Sequence, residues 1–472
     1  MVETDQGSQH PAQLAIVSTL SEQLAAFGAA LRYEDLPEAV VERVRLHAMD
    51  LIGVCLLGAP MPFAGILRGV AAAAGGPAES TLLGSDGLKL SATAATLYNG
   101  GLAHGNEFDD TYGPGRWHGS APTVPPALAV AESLHLDGKA FIAALAAGLE
   151  AGCRLTRAAP ALLSRGFHST CTAGVFAAGL AVGKLMGLDH EKLANMLGIC
   201  GSFASGTMEF LGDPEPWSKR IQVGYAAQGA ILAARAAAGG FKGPRSILEG
   251  RHGYFRAYAG EGNYDLAGVA QGLGDDWQLL RLYPKRYPCD HIAQGYIDCA
   301  IALAKSGIEA DAIEKVTCIV HPLAAAIMFA PRETRYRPSN GWSARWSMPY
   351  NMAVTLADRA LSIDSYADER ARDPRVRAFM DRVVPEEDPS MAFPGEYPAA
   401  VRLHLKDGRV VEKSAPKVAG TADNPVSAAE YEAKFLDNAR RGIGAQRAGE
   451  AARLLDGLPK ARDMAQLAAA CG

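Results

Sequence analysis

Residues 104–132 read HGNEFDDTYGPGRWHGSAPTVPPALAVAE, and the reading of this stretch decides both the fold and the place to look for chemistry. If residues 104–111 are helical, His104, Glu107 and Thr111 share one face through their i, i+3, i+7 spacing. Gly113-Pro114-Gly115 then ends the helix, His118 follows on a loop, and Ser120 or Thr123 caps a second helix. The outcome is an imidazole beside exposed helix N–H groups, a favourable place for a carboxylate. The neighbouring Asp109-Asp110 pair has the chemistry of a metal ligand or of a cap; hydrogen-bonded caps and scaffold are the expectation.

The same helix–break–helix grammar extends in both directions. From about Gln13 to Gly260, Ala, Leu and Gly dominate, and apolar residues recur at three- and four-residue spacing between Gly or Pro stops. Helices are expected at 37–57, 125–134, 138–158, 175–186, 190–201 and 224–238. After about Asp275 the pattern changes. Residues 313–321, IEKVTCIVH, alternate like a strand, and Asp407-Gly408 sits between alternating apolar residues of 400–412, a hairpin signal for a type I′ turn. Helices are expected between them, around 291–305 and 349–360. Ser427-Ala-Ala-Glu430 has the spacing of a capping box opening a late helix. The expectation is a mainly α protein: a large all-helical bundle domain (1–275), a smaller α+β lid (276–415), and C-terminal helices (416–472) that return to the bundle.

Composition narrows the function. Of 472 residues, 49% are hydrophobic and 21% charged, ordinary values for a chain that buries large cores. The net charge of -5 gives no global pull on nucleic acid or anionic membrane, so an anion site has to be built locally. The eight cysteines are dispersed, with no CxxC, no zinc-like Cys/His spacing and no iron–sulfur cluster. No metal and no cofactor is expected. Apolar runs stop well short of a membrane span, and the polar start Met-Val-Glu-Thr-Asp lacks a targeting pattern, so the expected location is cytoplasmic.

Three further junctions repeat the first. Gly166-Phe167-His168-Ser169-Thr170 precedes a helix near Gly174, Trp217-Ser218-Lys219-Arg220 one near Val223, and residues 285–291 (KRYPCDH) another. Each puts cationic or proton-transferring side chains beside a helix start. Four in one acidic chain suit a small substrate with several carboxylates. Taken singly, each His reads more readily as structural, and Tyr350 as a core aromatic.

Together these segments resemble the MmgE/PrpD family, which includes 2-methylcitrate dehydratase, cis-aconitate decarboxylase and iminodisuccinate epimerase. The stretches that carry the likeness include AHGNEFDDTY (103–112), WHGSAPTVPPALAVAE (117–132), GFHSTCTAG (166–174), KRIQVGYAAQGAILAA (219–234), YPKRYPCDHI (283–292) and WSMPY (346–350). The resemblance implies the helical domain with its lid, a site between them, and a homodimer. It also implies pocket roles for Thr111, His118, His168, Lys219, Lys285 and Tyr350. Glu107 stands where the decarboxylase branch has Asp, and Asp290 where it has His, with His291 adjacent. On that basis the expectation ranks a 2-methylcitrate-type hydro-lyase first. An epimerase of a substituted succinate, a cis-aconitate decarboxylase and a non-catalytic carboxylate binder follow. His118 and His168 are the expected proton-transfer pair. Lys219 binds a carboxylate, and Glu107, Thr111, Lys285, Arg286, Asp290, His291 and Tyr350 complete the expected site.

Overall fold

The computed structural model describes residues 18–213, 217–393, 396–421 and 423–472. Residues 13–17 of the expected helical region, and the polar start of the chain, lie outside them. The body opens with α1 (Leu20–Ala30), α2 (Glu38–Gly58), α3 (Pro62–Ala73) and α4 (Ala92–His104). It continues through α5 (Ser120–Ser133), α6 (Gly138–Ala158), α7 (Gly174–Leu185), α8 (His190–Cys200) and α9 (Ser218–Ala238). The periodicity located these helices well, but α5 and α9 each begin earlier than the sequence indicated. Pro125 and Pro126 sit inside α5 rather than at its start.

Small residues let the helices touch at backbone distance. A Cβ on Gly100 of α4 would come within 2.8 Å of Gly224 Cα on α9, so the two helices cross with nothing between them. That crossing brings the end of α4 beside the start of α9. Gly152 of α6 faces the Trp117 ring in the same way, leaving no room for a Cβ, and this seats the loop that carries His118.

One apolar core fills the body, running to Leu282 and resuming at Phe435; a second, in the lid, begins at Tyr283 and runs to Val418. The lid sheet holds β3 (Ile313–Val320), β4 (Val383–Glu387), β5 (Ala399–Leu405) and β6 (Val410–Ala415) in the order β4-β3-β5-β6. β3 and β4 are parallel, and the other pairs are antiparallel. Helices α10 (Gln294–Lys305) and α11 (Met348–Asp358) pack in the lid core. The β5–β6 connection is not a type I′ turn, because only Gly408 takes positive φ (88°). Gly408 N–H donates to Leu405 O, and Leu405 N–H to Arg409 O, each at 2.9 Å, the geometry of a three-residue loop closed by a glycine bulge. Ser427 and Glu430 form the expected capping box. It opens α12 (Ala428–Asp456), which packs on α2 so closely that Gly442 touches the Leu56 backbone. With α13 (Met464–Cys471) it joins the core of the body. Among the described residues no single helix is long and apolar enough to cross a membrane; α2 and α3 meet that measure only as a pair bent by 98°.

Candidate active site

The first correction falls on residues 104–111. α4 stops at His104, Glu107 takes the left-handed conformation (φ 53°), and residues 110–112 become a strand, β1 (Asp110–Tyr112). β1 pairs with β2 (Leu282–Pro284), with Thr111 opposite Tyr283. A pairing partner so distant in sequence overrides local helix preference. A left-handed non-glycine residue costs ~1–2 kcal/mol, and at Glu107 this is offset by two cations. Its carboxylate contacts Lys219 directly and lies 3.3 Å from Lys285 Nζ. Lys285 follows β2 into the interior and also lies 3.2 Å from Asp109 Oδ1.

Asp110 performs the capping that Ser120 and Thr123 were expected to supply. Its carboxylate accepts from Ser120 N at 3.1 Å and from Ser120 Oγ at 2.5 Å, whereas Thr123 Oγ1 donates back to Gly119 O. The N-terminus of α5 is therefore occupied by a protein carboxylate. Asp109 and Asp110 are buried scaffold. Lys434 of α12 ties this layer to the tail by donating to Phe108 O, Lys285 O and Asp50 Oδ1.

All four junctions meet at one place, three of them contributing the imidazoles of a cluster that His104 completes. Ring centroids are 5.2 Å apart for His104–His118, 5.3 Å for His104–His168 and 5.7 Å for His118–His291. His118, His168 and His291 border a small cavity at the body–lid seam, lined among others by Arg116, Lys219 and Asp290, with His104 packed behind them. Phe210 and Trp346 supply apolar wall, with the Lys219 ammonium 5.5 and 5.4 Å from their ring centres.

The structure thus brings His118, His168, Lys219, Asp290 and His291 to the wall. Glu107, Thr111 and Lys285 lie fully buried in the layer behind it. Two expected residues are elsewhere. Arg286 is 37% exposed and pairs with Asp298 at 2.7 Å. Tyr350 sits in the lid core, its hydroxyl donating to Ser365 O at 2.5 Å. Its place at the start of α11 turns it inward, which agrees with its reading as a core aromatic. Asp290 is held by Ile292 N–H at 2.9 Å and caps the short turn at His291–Ala293.

Burial pushes His104, His118, His168 and His291 below the ordinary imidazole range, so all four are neutral at pH 7. Lys285 and Lys219 add to this for His118 and His168, respectively. Burial also opposes charge on Glu107 and Asp109, yet the adjacent lysines hold both below the ordinary carboxylate range. Asp109 and Glu107 in turn hold Lys285 above its ordinary value against burial.

Several residues near the cavity were not among those expected to form the site. His104 donates Nδ1–H to Asp109 Oδ2 at 2.6 Å, while its Nε2 is buried without a partner. Arg116 is anchored to Pro160 O and faces the cavity. Behind the wall, Arg220 stacks 4.0 Å from the Trp342 ring centre and donates to Gly105 O, while Arg345 donates to Asn106 O. Gln222 bonds His168; its i+3 spacing from Lys219 on α9 was a usable signal.

Arg116, Arg220 and Arg345 have no carboxylate within ion-pair distance among the described residues. Arg116 lines the cavity and Arg220 and Arg345 stand behind it, so positive charge gathers near the wall. Cations and neutral imidazoles side by side are groups that can bind an anion and move a proton.

Comparison with known proteins agrees in extent. The chain is 26% identical to cis-aconitate decarboxylase of Aspergillus terreus over 429 residues, covering 86% of each chain. It is 25% identical to human cis-aconitate decarboxylase over 436 residues, 90% of this chain and 89% of that one. The mouse enzyme matches at 24% over 444 residues, 90% of this chain and 88% of the relative. The MmgE/PrpD N-terminal domain matches residues 22–267 and the C-terminal domain residues 287–457. With both domains matched over most of its length, the chain belongs to the MmgE/PrpD family.

Proposed function

We propose that this MmgE/PrpD-family lyase decarboxylates cis-aconitate or a closely related unsaturated tricarboxylate, with His118 and His168 as the proton-transfer pair. The relatives' activity supports decarboxylation over the dehydration that the sequence reading ranked first. The observation that carries the proposal is the pairing of neutral imidazoles on the cavity wall with a local excess of positive charge.

The chemistry follows from the substrate. In cis-aconitate one carboxylate is attached to a CH₂ next to the double bond. When its C–C bond breaks, CO₂ leaves and the bonding pair forms a new C=C. The old double bond takes a proton at its far carbon, giving a 2-methylene diacid. Lys219 and Arg116 hold carboxylates and oppose the growth of negative charge on the diacid. An imidazolium supplies the proton. The resting imidazoles are neutral, so the donor is loaded as the polyanion binds and raises its pKa.

A second reading is favoured by that same neutrality. A neutral imidazole is a ready base for a C–H beside a carboxylate, as a 2-methylcitrate-type hydro-lyase requires. Proton NMR in D₂O with cis-aconitate, 2-methylcitrate, citrate, itaconate and substituted succinates separates the two. Loss of CO₂ from cis-aconitate, with one deuterium fixed at carbon, is the expected result. Unchanged cis-aconitate beside dehydrating 2-methylcitrate overturns decarboxylation in favour of the hydro-lyase.

A further inference from the structure

Two cavity imidazoles are tethered through Nδ1 by acceptors of different kinds. His118 Nδ1 lies 2.7 Å from the main-chain carbonyl of Asp110. A carbonyl only accepts, so the hydrogen of neutral His118 is on Nδ1. His168 Nδ1 lies 2.9 Å from Gln222 Oε1. An amide can present either end to a neighbour, but here the other end decides. Gln222 Nε2 donates to Thr207 O at 3.1 Å, so the oxygen end faces the imidazole. Thr207 is itself fixed against this segment, because Phe167 and Thr207 form a β-bridge and His168 N–H donates to Gly206 O at 3.0 Å.

The Cys171 thiol lies 3.2 Å from the same His168 nitrogen. Burial pushes the thiol up, so it stays protonated and can either accept or donate. It does not choose the tautomer while Gln222 is present. With Gln222 removed, it becomes a donor to Nδ1 and favours the opposite tautomer.

We infer that Gln222 is a positioning residue whose amide, oriented by Thr207, keeps the hydrogen of His168 on Nδ1 and leaves the Nε2 lone pair for the cavity. The inference rests on reading the cavity as a proton-transfer site and adds how one of its bases is set. The choice of an amide matters. A carboxylate here would fix the same tautomer but would also stabilise the imidazolium, as Asp109 can for His104. A neutral acceptor orients the ring and keeps protonated His168 a strong enough acid to give its proton to carbon.

The test is side-chain ¹⁵N NMR of ligand-free, histidine-labelled protein, with His168→Asn identifying the His168 signals. Wild type is expected to show neutral His168 with Nδ1 protonated. Gln222→Leu is expected to lose that preference. Gln222→Glu, nearly isosteric, is expected to restore it and raise the His168 pKa, and it keeps the inference testable if the leucine variant fails to fold. With cis-aconitate as substrate, Gln222→Leu should lower kcat on the order of 10–100-fold with KM within about twofold. Gln222→Glu should recover much of that loss while moving the His168 limb of the pH profile to higher pH. An unchanged tautomer in Gln222→Leu, or an unmoved pKa in Gln222→Glu, overturns the inference. If the protein leaves cis-aconitate unchanged, the functional proposal fails, and the tautomer and pKa measurements still decide the role of Gln222.

Discussion

The cavity wall and the layer beneath it meet burial in opposite ways. On the wall, His118 and His291 have carboxylates only at 4.0 and 3.8 Å, and both imidazoles are neutral. In the layer behind, Lys285 has two carboxylates within 3.3 Å, Glu107 also meets Lys219, and Lys285, Glu107 and Asp109 keep their charge. Desolvation is severe in both places. What differs is close ion pairing together with intrinsic basicity: short-range attraction recovers the cost of burial for Lys285 and its carboxylates, but not for His104, a weaker base that stays neutral beside Asp109. The lower layer is therefore a fixed charged scaffold, and the wall is a set of unprotonated sites that can be loaded.

Breaking the wall should have the largest effect. His168→Asn is expected to lower turnover on the order of 10²–10⁴-fold with the thermal melt nearly unchanged. Near-wild-type turnover would remove His168 from the chemistry and leave His118 to act alone. Breaking the lower layer should instead appear in stability. Lys285→Met leaves Glu107 and Asp109 facing each other with one cation fewer, and the expected cost is about 3–5 kcal/mol in denaturant unfolding. A cost below about 1 kcal/mol would mean that water reaches this layer.

Titration sharpens the same contrast. The four imidazoles have folded pKa values below their unfolded values, so the unfolded chain binds more protons as pH falls below about 6.5. Their contribution to stability is present above that pH and is lost as pH falls toward the folded values. The slope is up to about 1.4 kcal/mol per pH unit for each group. Glu107 and Asp109, also held low, add a further loss below about pH 4.5. Tricarballylate, a saturated tricarboxylate that cannot lose CO₂ by the proposed route, should bind with proton uptake near pH 7. Calorimetry in buffers of different ionisation enthalpy reads this directly. Binding without proton uptake would mean that the imidazoles are not loaded by the ligand.

The helices were legible because they follow from local signals: apolar spacing, glycine stops and, for α12, the Ser427–Glu430 box. The convergence of His118, His168, Lys219 and His291 was also legible, as each stands at a loop-to-helix junction. What the sequence hid depends on partners far along the chain. Residues 104–111 read as helix until β2 claims residues 110–112 as a strand, and Glu107 turns left-handed because two distant lysines hold it. Asp110 caps a helix from outside it, which no spacing rule anticipates. Arg345 is recognisable only after the Gly105-Asn106 turn brings it beside Arg220.

Tyr350→Phe should have the smallest effect, and it tests where the site ends. The resemblance placed Tyr350 in the pocket, whereas its hydroxyl here donates to Ser365 O and its ring packs on Tyr366. Removing that hydroxyl loses one partly buried hydrogen bond, worth about 0.5–1.5 kcal/mol of stability, and leaves an acceptor on the Ser365 turn. It removes nothing from the cavity wall, so kcat and KM should both stay within about twofold of wild type. A tenfold fall in kcat without loss of stability would contradict this. It would mean that α11 delivers Tyr350 to the substrate in a second arrangement of the lid, and that the boundary between wall and lid core moves during turnover. Arg286→Met is the matched control, since Arg286 is also outside the cavity but on the exposed side of the seam. If Tyr350→Phe slows the reaction and Arg286→Met does not, the lid core takes part in catalysis while the exposed side of the seam does not.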